Sequence, residues 1–380
     1  MDVAEVRELV RATGMLAGRT HLVAMLSGGR DSVCLLDVAV ALCGAGGVHA
    51  LHVNYGVREE AAADESSCRQ LCEVLGVDLI VARSGRCPDA AGNFHAWARE
   101  FRYRRARELA ERLDEAGVGE SPGDAAPDFE VAAGGEGEEG EEGVGDLSKN
   151  AAPRVRVGHP FFEGLTPAPV AMGHAPTLIA TGHTSTDQVE TILYRLASSP
   201  GRRALLGMPA REGRLVRPLL ALTREQTADY CLLRGLRWRE DASNDSPSYA
   251  RARVRHDLLP ALDAVHPAAR PNVLRTAQLL REETRLLDSL VSAELGGRDS
   301  IALERLGELP SALQRLVTIR LAEDAAGTYV PQAGDRVAEI LALGLRGGRA
   351  ELHVGGLASA VVEDGELRMV RIPPREQHCQ

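Results

Sequence analysis

Residues 27–32, Ser27-Gly28-Gly29-Arg30-Asp31-Ser32, hold the densest set of chemically capable groups in this chain of 380 residues. A short apolar run, His21 to Leu26, precedes them, and an apolar helical pattern begins at Val33. That order predicts a buried strand, a glycine turn and a helix start. Gly28 and Gly29 let the backbone turn sharply and approach a ligand with no Cβ in the way. The free N–H groups of the helix start, with the helix dipole behind them, suit an anion such as phosphate. Ser27 and Ser32 add hydroxyls, Arg30 adds a cation, and Asp31 can hold a magnesium ion bridging to phosphate oxygens. No lysine follows the glycines, so this is not the GxxxxGK(S/T) loop.

Three further groups could take part. In Gly182-His183-Thr184-Ser185-Thr186-Asp187-Gln188-Val189-Glu190, Asp187 and Glu190 stand three apart on a predicted helix and share a face. Their plainer reading is a carboxylate at a helix N-terminus and a surface charge. Arg99, Arg102 and Arg105 recur at helical spacing, with Arg104 alongside. They form a basic face open to phosphates or simply to water. Arg251, Arg253 and Arg255 follow Tyr249, a pairing that suits single-stranded RNA, where bases stack and phosphates meet guanidinium. The rival reading is a linker helix whose arginines pair with Glu240 or Asp241. Aromatic residues make up only 3% of the chain, so stacking platforms are few: Tyr249, Trp238 and Trp97, the last equally suited to a core.

These groups need a scaffold. Strands are predicted at Val48 to Val53, Val77 to Ala82 and Thr177 to Thr181, with helices over 59–75, from about Asn93 to Leu113, and over 184–197. Strands separated by helices predict an α/β fold with a doubly wound, mostly parallel sheet. Ligands in such sheets bind at the carboxyl ends of the strands, where the glycine turn falls. Residues 204–222 read as a hairpin-like connection, and helices follow over 224–235, 251–263, 272–295 and parts of 301–345. The chain ends in two alternating runs around Glu363-Asp364-Gly365, a terminal β-hairpin. The expected organisation is a catalytic domain over 1–222, a helical region over 223–295 and a small domain over 296–375.

Residues 114–150 hold twelve Asp and Glu against one basic residue, Lys149, so the net charge of −10 belongs almost wholly to that stretch. The wider segment 114–176 is rich in Gly, Pro, Ala and Glu and reads as an acidic, disordered insert. Lys149 is the only lysine, which disfavours a lysine nucleophile and leaves phosphate contacts to arginine, hydroxyls and backbone. Seven cysteines without a CxxC pair predict reduced thiols in a cytoplasmic protein. No apolar run reaches the 18 or so residues of a membrane span, and the N-terminus lacks a secretory pattern.

The string SGGRDS resembles the PP-loop of ATP pyrophosphatases, which cleave ATP to AMP and pyrophosphate. HVNYGVR (52–58), GNFHAWAREFRY (92–103), GHTSTDQVET (182–191) and DASNDSPSYARARVRH (241–256) follow in order. Together they resemble the tRNA(Ile)-lysidine synthetase family over roughly residues 18–260, with a weaker likeness of the last hundred residues to its tRNA-binding region. The resemblance implies ATP and Mg2+ as reactants, with tRNA(Ile) bearing a CAU anticodon and L-lysine as partners. ATP would adenylate the C2 oxygen of the wobble cytidine, and the lysine ε-amine would then displace AMP. It implies Asp31, Asp187 and Arg99 as catalytic residues and Asp31 as the Mg2+ holder. Ser27, Gly28, Gly29, Arg30, Asp31, Ser32 and His183 would bind ATP, and Asp187 and Glu190 would bind lysine. Arg102, Arg105, Tyr249, Arg251, Arg253 and Arg255 would meet tRNA. Thr184 or His183 could touch ATP or the cytidine.

The chain departs from the family where HxxDDQxET has two adjacent Asp, the first being Thr186 here, which puts metal affinity in question. The oligomeric state stays open, a homodimer included. Rival readings are a 2-thiocytidine-type thiolase, for which a CxxC pair is missing, and an amide-forming PP-loop ligase, which would not need the basic segment at 249–255. A catalytically dead RNA-binding protein is disfavoured by the intact loop and Asp187.

Overall fold

The computed structural model describes residues 1–16, 21–56, 61–84, 94–116, 129–132, 175–199, 201–239 and 250–373. Tyr249, Lys149, Arg58, Glu240, Asp241 and most of the acidic segment lie outside them. The chain divides into two compact units, Met1–Gln278 and Leu279–Gln380.

The first unit opens with α1 (Val3–Arg11), β1 (Leu22–Met25), α2 (Arg30–Cys43), β2 (Val48–Asn54) and α3 (Ala61–Leu75). It continues with β3 (Asp78–Arg83), α4 (Phe94–Glu115), β4 (Phe129–Ala132), β5 (Leu178–Ala180), α5 (Ser185–Ser198) and α6 (Arg202–Leu205). Then come β6 (Arg211–Glu212), β7 (Leu215–Val216), α7 (Arg224–Leu233), α8 (Ala250–Arg253), a π-helical turn Val254–Leu258 and α9 (Leu259–Val265). The long α10 (Ala269–Leu295) begins in this unit.

The seven strands lie in the order β4-β3-β2-β1-β5-β7-β6. From β3 to β7 every pairing is parallel, and β4 and β6 add antiparallel edges. Successive residues of β1 bury to opposite faces. Leu22 and Ala24 join the core beneath α1, α2, α3 and α7, while Val23 joins Leu51, Ile80, Ala106 and Leu109 beneath α4. Cover on both faces explains why these strands read as continuous apolar runs. The acidic segment read as wholly irregular contains one strand, β4, whose four residues pair with Leu79–Ala82 of the sheet edge.

The order fixes where a ligand can sit. From β1 the chain winds outward to β2 and β3, then returns to place β5 on the other side of β1. Loops leaving the carboxyl ends of β1 and β5 therefore diverge and open a crevice, the topological switch point of a doubly wound sheet.

A buried carboxylate registers α7 against α2. Asp37, 2% exposed, accepts from Tyr230 Oη at 2.5 Å, from both Arg234 nitrogens at 3.2 and 3.0 Å, and from Arg7 at 3.3 Å. Burial alone would push its pKa up, but the hydrogen bonds and charges of Arg234, Tyr230 and Arg7 outweigh burial and hold it below the ordinary value.

The second unit contains β8 (Ser300–Ala302), α11 (Leu303–Glu308), α12 (Ser311–Ala326), α13 (Val337–Gly344), β9 (Ala350–Gly355), β10 (Ala358–Glu363) and β11 (Glu366–Arg371). The predicted hairpin is β10 and β11, joined at Asp364-Gly365 with both residues at positive φ. It belongs to a four-stranded antiparallel sheet, β8-β11-β10-β9, which corrects the reading of a lone hairpin after helices. Three-residue β8 is too short for alternation to register, and its pairing partner β11 lies more than sixty residues away.

Candidate active site

Two loops meet at the switch point. After β1, Gly28 takes φ +83°, which strains any L side chain, and its Cβ would stand 3.4 Å from Cys68 Sγ. Gly29 is the N-cap of α2 and makes no side-chain cap, so the helix start keeps N–H groups available for an anion. The loop is shaped by its own hydroxyls. Ser32 Oγ donates to the Gly29 carbonyl at 2.7 Å, stands 3.1 Å from Ser27 Oγ and accepts from Ser27 N at 3.2 Å. Ser32 is buried and its proton is spent inside the loop, which corrects its expected role as a donor to phosphate. Ser27 is exposed and keeps that capacity.

After β5 the chain passes so close to α2 that a Cβ on Gly182 would lie 2.8 Å from the Asp31 carbonyl oxygen. Thr184 caps α5 in a reciprocal box with Asp187, whose Oδ2 accepts from Thr184 N at 2.8 Å and Thr184 Oγ1 at 2.9 Å. The plainer reading of Asp187 as a helix-start carboxylate thus describes one of its oxygens. The other, Oδ1, lies 3.7 Å from Arg251 and 3.8 Å from Arg255. Burial pushes the Asp187 pKa up, but the Arg251 charge, His183 and the Thr184 donors more than reverse this and hold it low.

Glu190 is not a surface charge. It is 0% exposed, and Arg255 holds it through two bonds of 2.6 and 3.0 Å, with Arg251 Nε at 3.4 Å. The expected amino-acid carboxylates and two of the expected RNA arginines therefore face each other. A π-helical turn, a backbone form concentrated at functional sites, carries Arg255. Arg253 is exposed on the preceding turn.

Asp31 is partly buried on the α2 side of the crevice. Thr227 Oγ1 of α7 donates to its Oδ1 at 2.5 Å, and Arg30 Nε lies 3.4 Å from the same oxygen. No donor among the described residues meets Oδ2. Burial raises the Asp31 pKa, the nearby Asp187 charge adds to this, and Thr227, Arg30 and Arg224 oppose it. One carboxylate oxygen free beside open helix N–H groups fits a hard cation that takes its other ligands from phosphate and water. No cluster of three or more His, Cys, Asp or Glu side chains stands ready to ligate a metal among the described residues. Thr186, which replaces the first Asp of the family pattern, accepts from Arg224 N at 3.1 Å and ties α5 to the start of α7.

Across the crevice, guanidinium groups gather around His183. Burial lowers the His183 pKa to about 4, the charges of Arg217, Arg251 and Arg99 reinforce this, and Asp187 opposes it. Arg195 and Arg217 belong to the same basic cluster and were invisible to motif reading. Arg217 is 2% exposed, donates to the Pro209 carbonyl at 2.6 Å and leaves its Nε without a partner. His183 Nδ1 lies 2.8 Å from Thr181 Oγ1.

The imidazole is therefore neutral at pH 7, and its NMR resonances are expected not to titrate between pH 5.5 and 8. A midpoint near 6.5 would contradict the burial argument. Between about pH 6.5 and 4 the unfolded chain binds a proton here that the folded chain refuses. This group's contribution to stability is thus full above that window and declines as pH falls through it.

On α4, Arg99 and Arg102 are exposed, whereas Arg105 is half-buried, pairs with Glu108 at 3.0 Å and lies 5.2 Å from the Phe101 ring. Its spacing from Arg102 is right for one face, but that face turns into the packing, a correction to its expected place on an open basic surface. Trp97 sits among Tyr55, Phe94 and Phe101, and Trp238 packs on the main core, so neither is an open stacking platform. No helix among the described residues is long and apolar enough to cross a membrane.

Comparison with known proteins is consistent with this layout. A tRNA(Ile)-lysidine synthase from Salinispora arenicola is 45% identical over 141 residues, 36% of this chain and 42% of that protein. One from Pseudomonas fluorescens is 30% identical over 316 residues, 78% of this chain and 57% of that protein. The chain thus spans about half the length of the curated relatives it matches. Among solved structures, the U34-tRNA thiolase NcsA from Methanococcus maripaludis aligns at a TM-score of 0.47 with 14% identity, covering 73% of this chain and 78% of that one. The PP-loop domain matches residues 2–117 and 168–262, more than half of the chain and both loops of the crevice. The glycine turn after β1 is its phosphate loop, and this chain belongs to the PP-loop domain family.

Proposed function

We propose that this protein ligates L-lysine to C2 of the wobble cytidine in tRNA(Ile) bearing a CAU anticodon, consuming ATP and releasing AMP and pyrophosphate. The observation that carries the reading is the meeting of two unlike sites at one switch point. A phosphate loop with a carboxylate, Asp31, faces a pair of acidic groups, Asp187 and Glu190, within a ring of arginines. The names of the relatives, tRNA(Ile)-lysidine synthase, support the choice of acceptor and amine.

The helix-start N–H groups, Ser27 and Arg30 would bind the pyrophosphate end of ATP. Asp31 would hold Mg2+, which when bound neutralises charge on the leaving pyrophosphate. The cytidine C2 oxygen attacks the α-phosphorus, the bond to pyrophosphate breaks, and AMP is left on the base. Neutral His183 offers a donor or acceptor to nucleotide or base without bringing a charge. Arg99 lies where it can meet the developing charge on phosphate. Glu190 and Asp187 would take the lysine ammonium in place of the Arg255 and Arg251 guanidinium groups. Once the ammonium has lost a proton, its lone pair attacks C2 and AMP leaves. Arg102 and Arg253, both exposed, would meet RNA phosphates, with Tyr249 available to a base. Lysine recognition, the tRNA contacts and a homodimer stand as proposals of the same reading, as does the division at 222 and 295 into catalytic, linking and C-terminal tRNA-binding regions.

Radiolabelled lysine is expected to enter tRNA with a CAU anticodon only when ATP and Mg2+ are present, with one AMP formed per lysine transferred. AMP formation supported equally by glutamine or sulfide would overturn the assignment.

A further inference from the structure

We propose that Thr227 is a positioning residue for Mg2+·ATP, acting through the Asp31 carboxylate. The inference rests on the reading that Asp31 holds the metal. Thr227 is 0% exposed, and its Oγ1 lies 2.5 Å from Asp31 Oδ1 and 2.9 Å from the Arg224 carbonyl of its own helix. A hydroxyl has one proton and can donate to one of these. The contact to the carboxylate is the shorter, in the range of charge-assisted O–H···O⁻ bonds. Committed there, the proton occupies Oδ1 and fixes the carboxylate plane, leaving Oδ2 for a cation.

The position of Thr227 is not left to a surface side chain. One turn further along α7, Tyr230 and Arg234 are bonded to buried Asp37 of α2, and Cys231 Sγ lies 3.7 Å from the Arg30 carbonyl. At the start of the same helix Thr186 accepts from Arg224 N. The helix that carries Thr227 is thus held in register against the helix that carries Asp31. Without the hydroxyl, Asp31 would rotate freely, and its buried oxygen would lose its one close donor.

The experiment measures ATP binding by calorimetry across a Mg2+ titration, which needs neither tRNA nor lysine. Thr227→Val, nearly isosteric, is expected to raise the Mg2+ concentration for half-maximal ATP binding about tenfold, the size of one charge-assisted hydrogen bond. Thr227→Ser, which keeps the hydroxyl, should stay within about twofold of wild type. ATP affinity without Mg2+ should be the same in all three. Thermal melting is followed in parallel, and if Thr227→Val does not fold, Thr227→Ala against Thr227→Ser makes the same comparison. Unchanged Mg2+ dependence in Thr227→Val overturns the proposal, as does equal impairment of the serine variant or a loss that is the same with and without Mg2+. Wild-type ATP binding indifferent to Mg2+ would instead overturn the metal-holding role of Asp31. Failure of lysine transfer with Mg2+-dependent ATP binding intact would touch only the proposed acceptor.

Discussion

Asp31→Ala is expected to lower ATP-dependent lysine transfer by roughly 10³-fold, about 4 kcal/mol of transition-state stabilisation. The carboxylate stands at the N-terminus of α2 with Oδ2 unengaged by any described donor, so its removal takes away the one acidic oxygen poised for a metal beside the phosphate loop. The fold should tolerate the change. Thr227 Oγ1, freed from Asp31, still has the Arg224 carbonyl 2.9 Å away as an acceptor, so no buried donor is orphaned. The loop hydroxyl network of Ser27 and Ser32 does not pass through Asp31. The check is AMP formation with tRNA and lysine, alongside urea unfolding. Activity above a tenth of wild type in a stable variant would remove Asp31 from the centre of the mechanism.

Gly182→Ala is expected to destabilise the first unit by about 2–3 kcal/mol and to weaken ATP binding sharply. The added methyl would lie 2.8 Å from Asp31 O, 2.9 Å from Asp31 C and 3.1 Å from Ser32 N, all backbone atoms. Neither side can yield cheaply. The strand side is held by Thr181 N on the Val216 carbonyl at 3.1 Å and Ser185 N on the Leu222 carbonyl at 2.8 Å. The helix side is anchored by Val33, Cys34, Leu35 and Leu36, all at most 1% exposed. The displaced element would be the helix start that receives phosphate, so stability and ATP affinity should fall together. Gly46→Ala, where the added carbon meets nothing within 4 Å, is the matched control. Denaturant unfolding and ATP calorimetry on both variants decide the matter. Wild-type ATP affinity in Gly182→Ala would show that the crevice is looser than its backbone contacts imply.

Much of the scaffold was legible in short windows. The run at β1, the glycines, and the apolar pattern from Val33 onward specify strand, turn and helix by local chemistry, and each formed where expected. Asp187 at the start of α5 and Gly235 after α7 followed from capping rules. Windows failed where an element is shorter than its own period. β8 has three residues and β7 two, too few for alternation to show, and each is held only by a strand already in place.

The residues of the site divide along the same line. Sequence by itself determined which groups are offered: a glycine loop with open N–H groups, a carboxylate next to it, two carboxylates one helical turn apart, and arginines in place of lysine. Partner choice was decided only by the tertiary structure. Glu190 meets Arg255 across 65 positions and Asp31 meets Thr227 across 196. Ser32 turns inward, and Arg105 packs against its own helix. A side chain's neighbours through space depend on how distant elements pack and on which face each helix buries. No local pattern encodes whether a charge finds a partner, water or a ligand there.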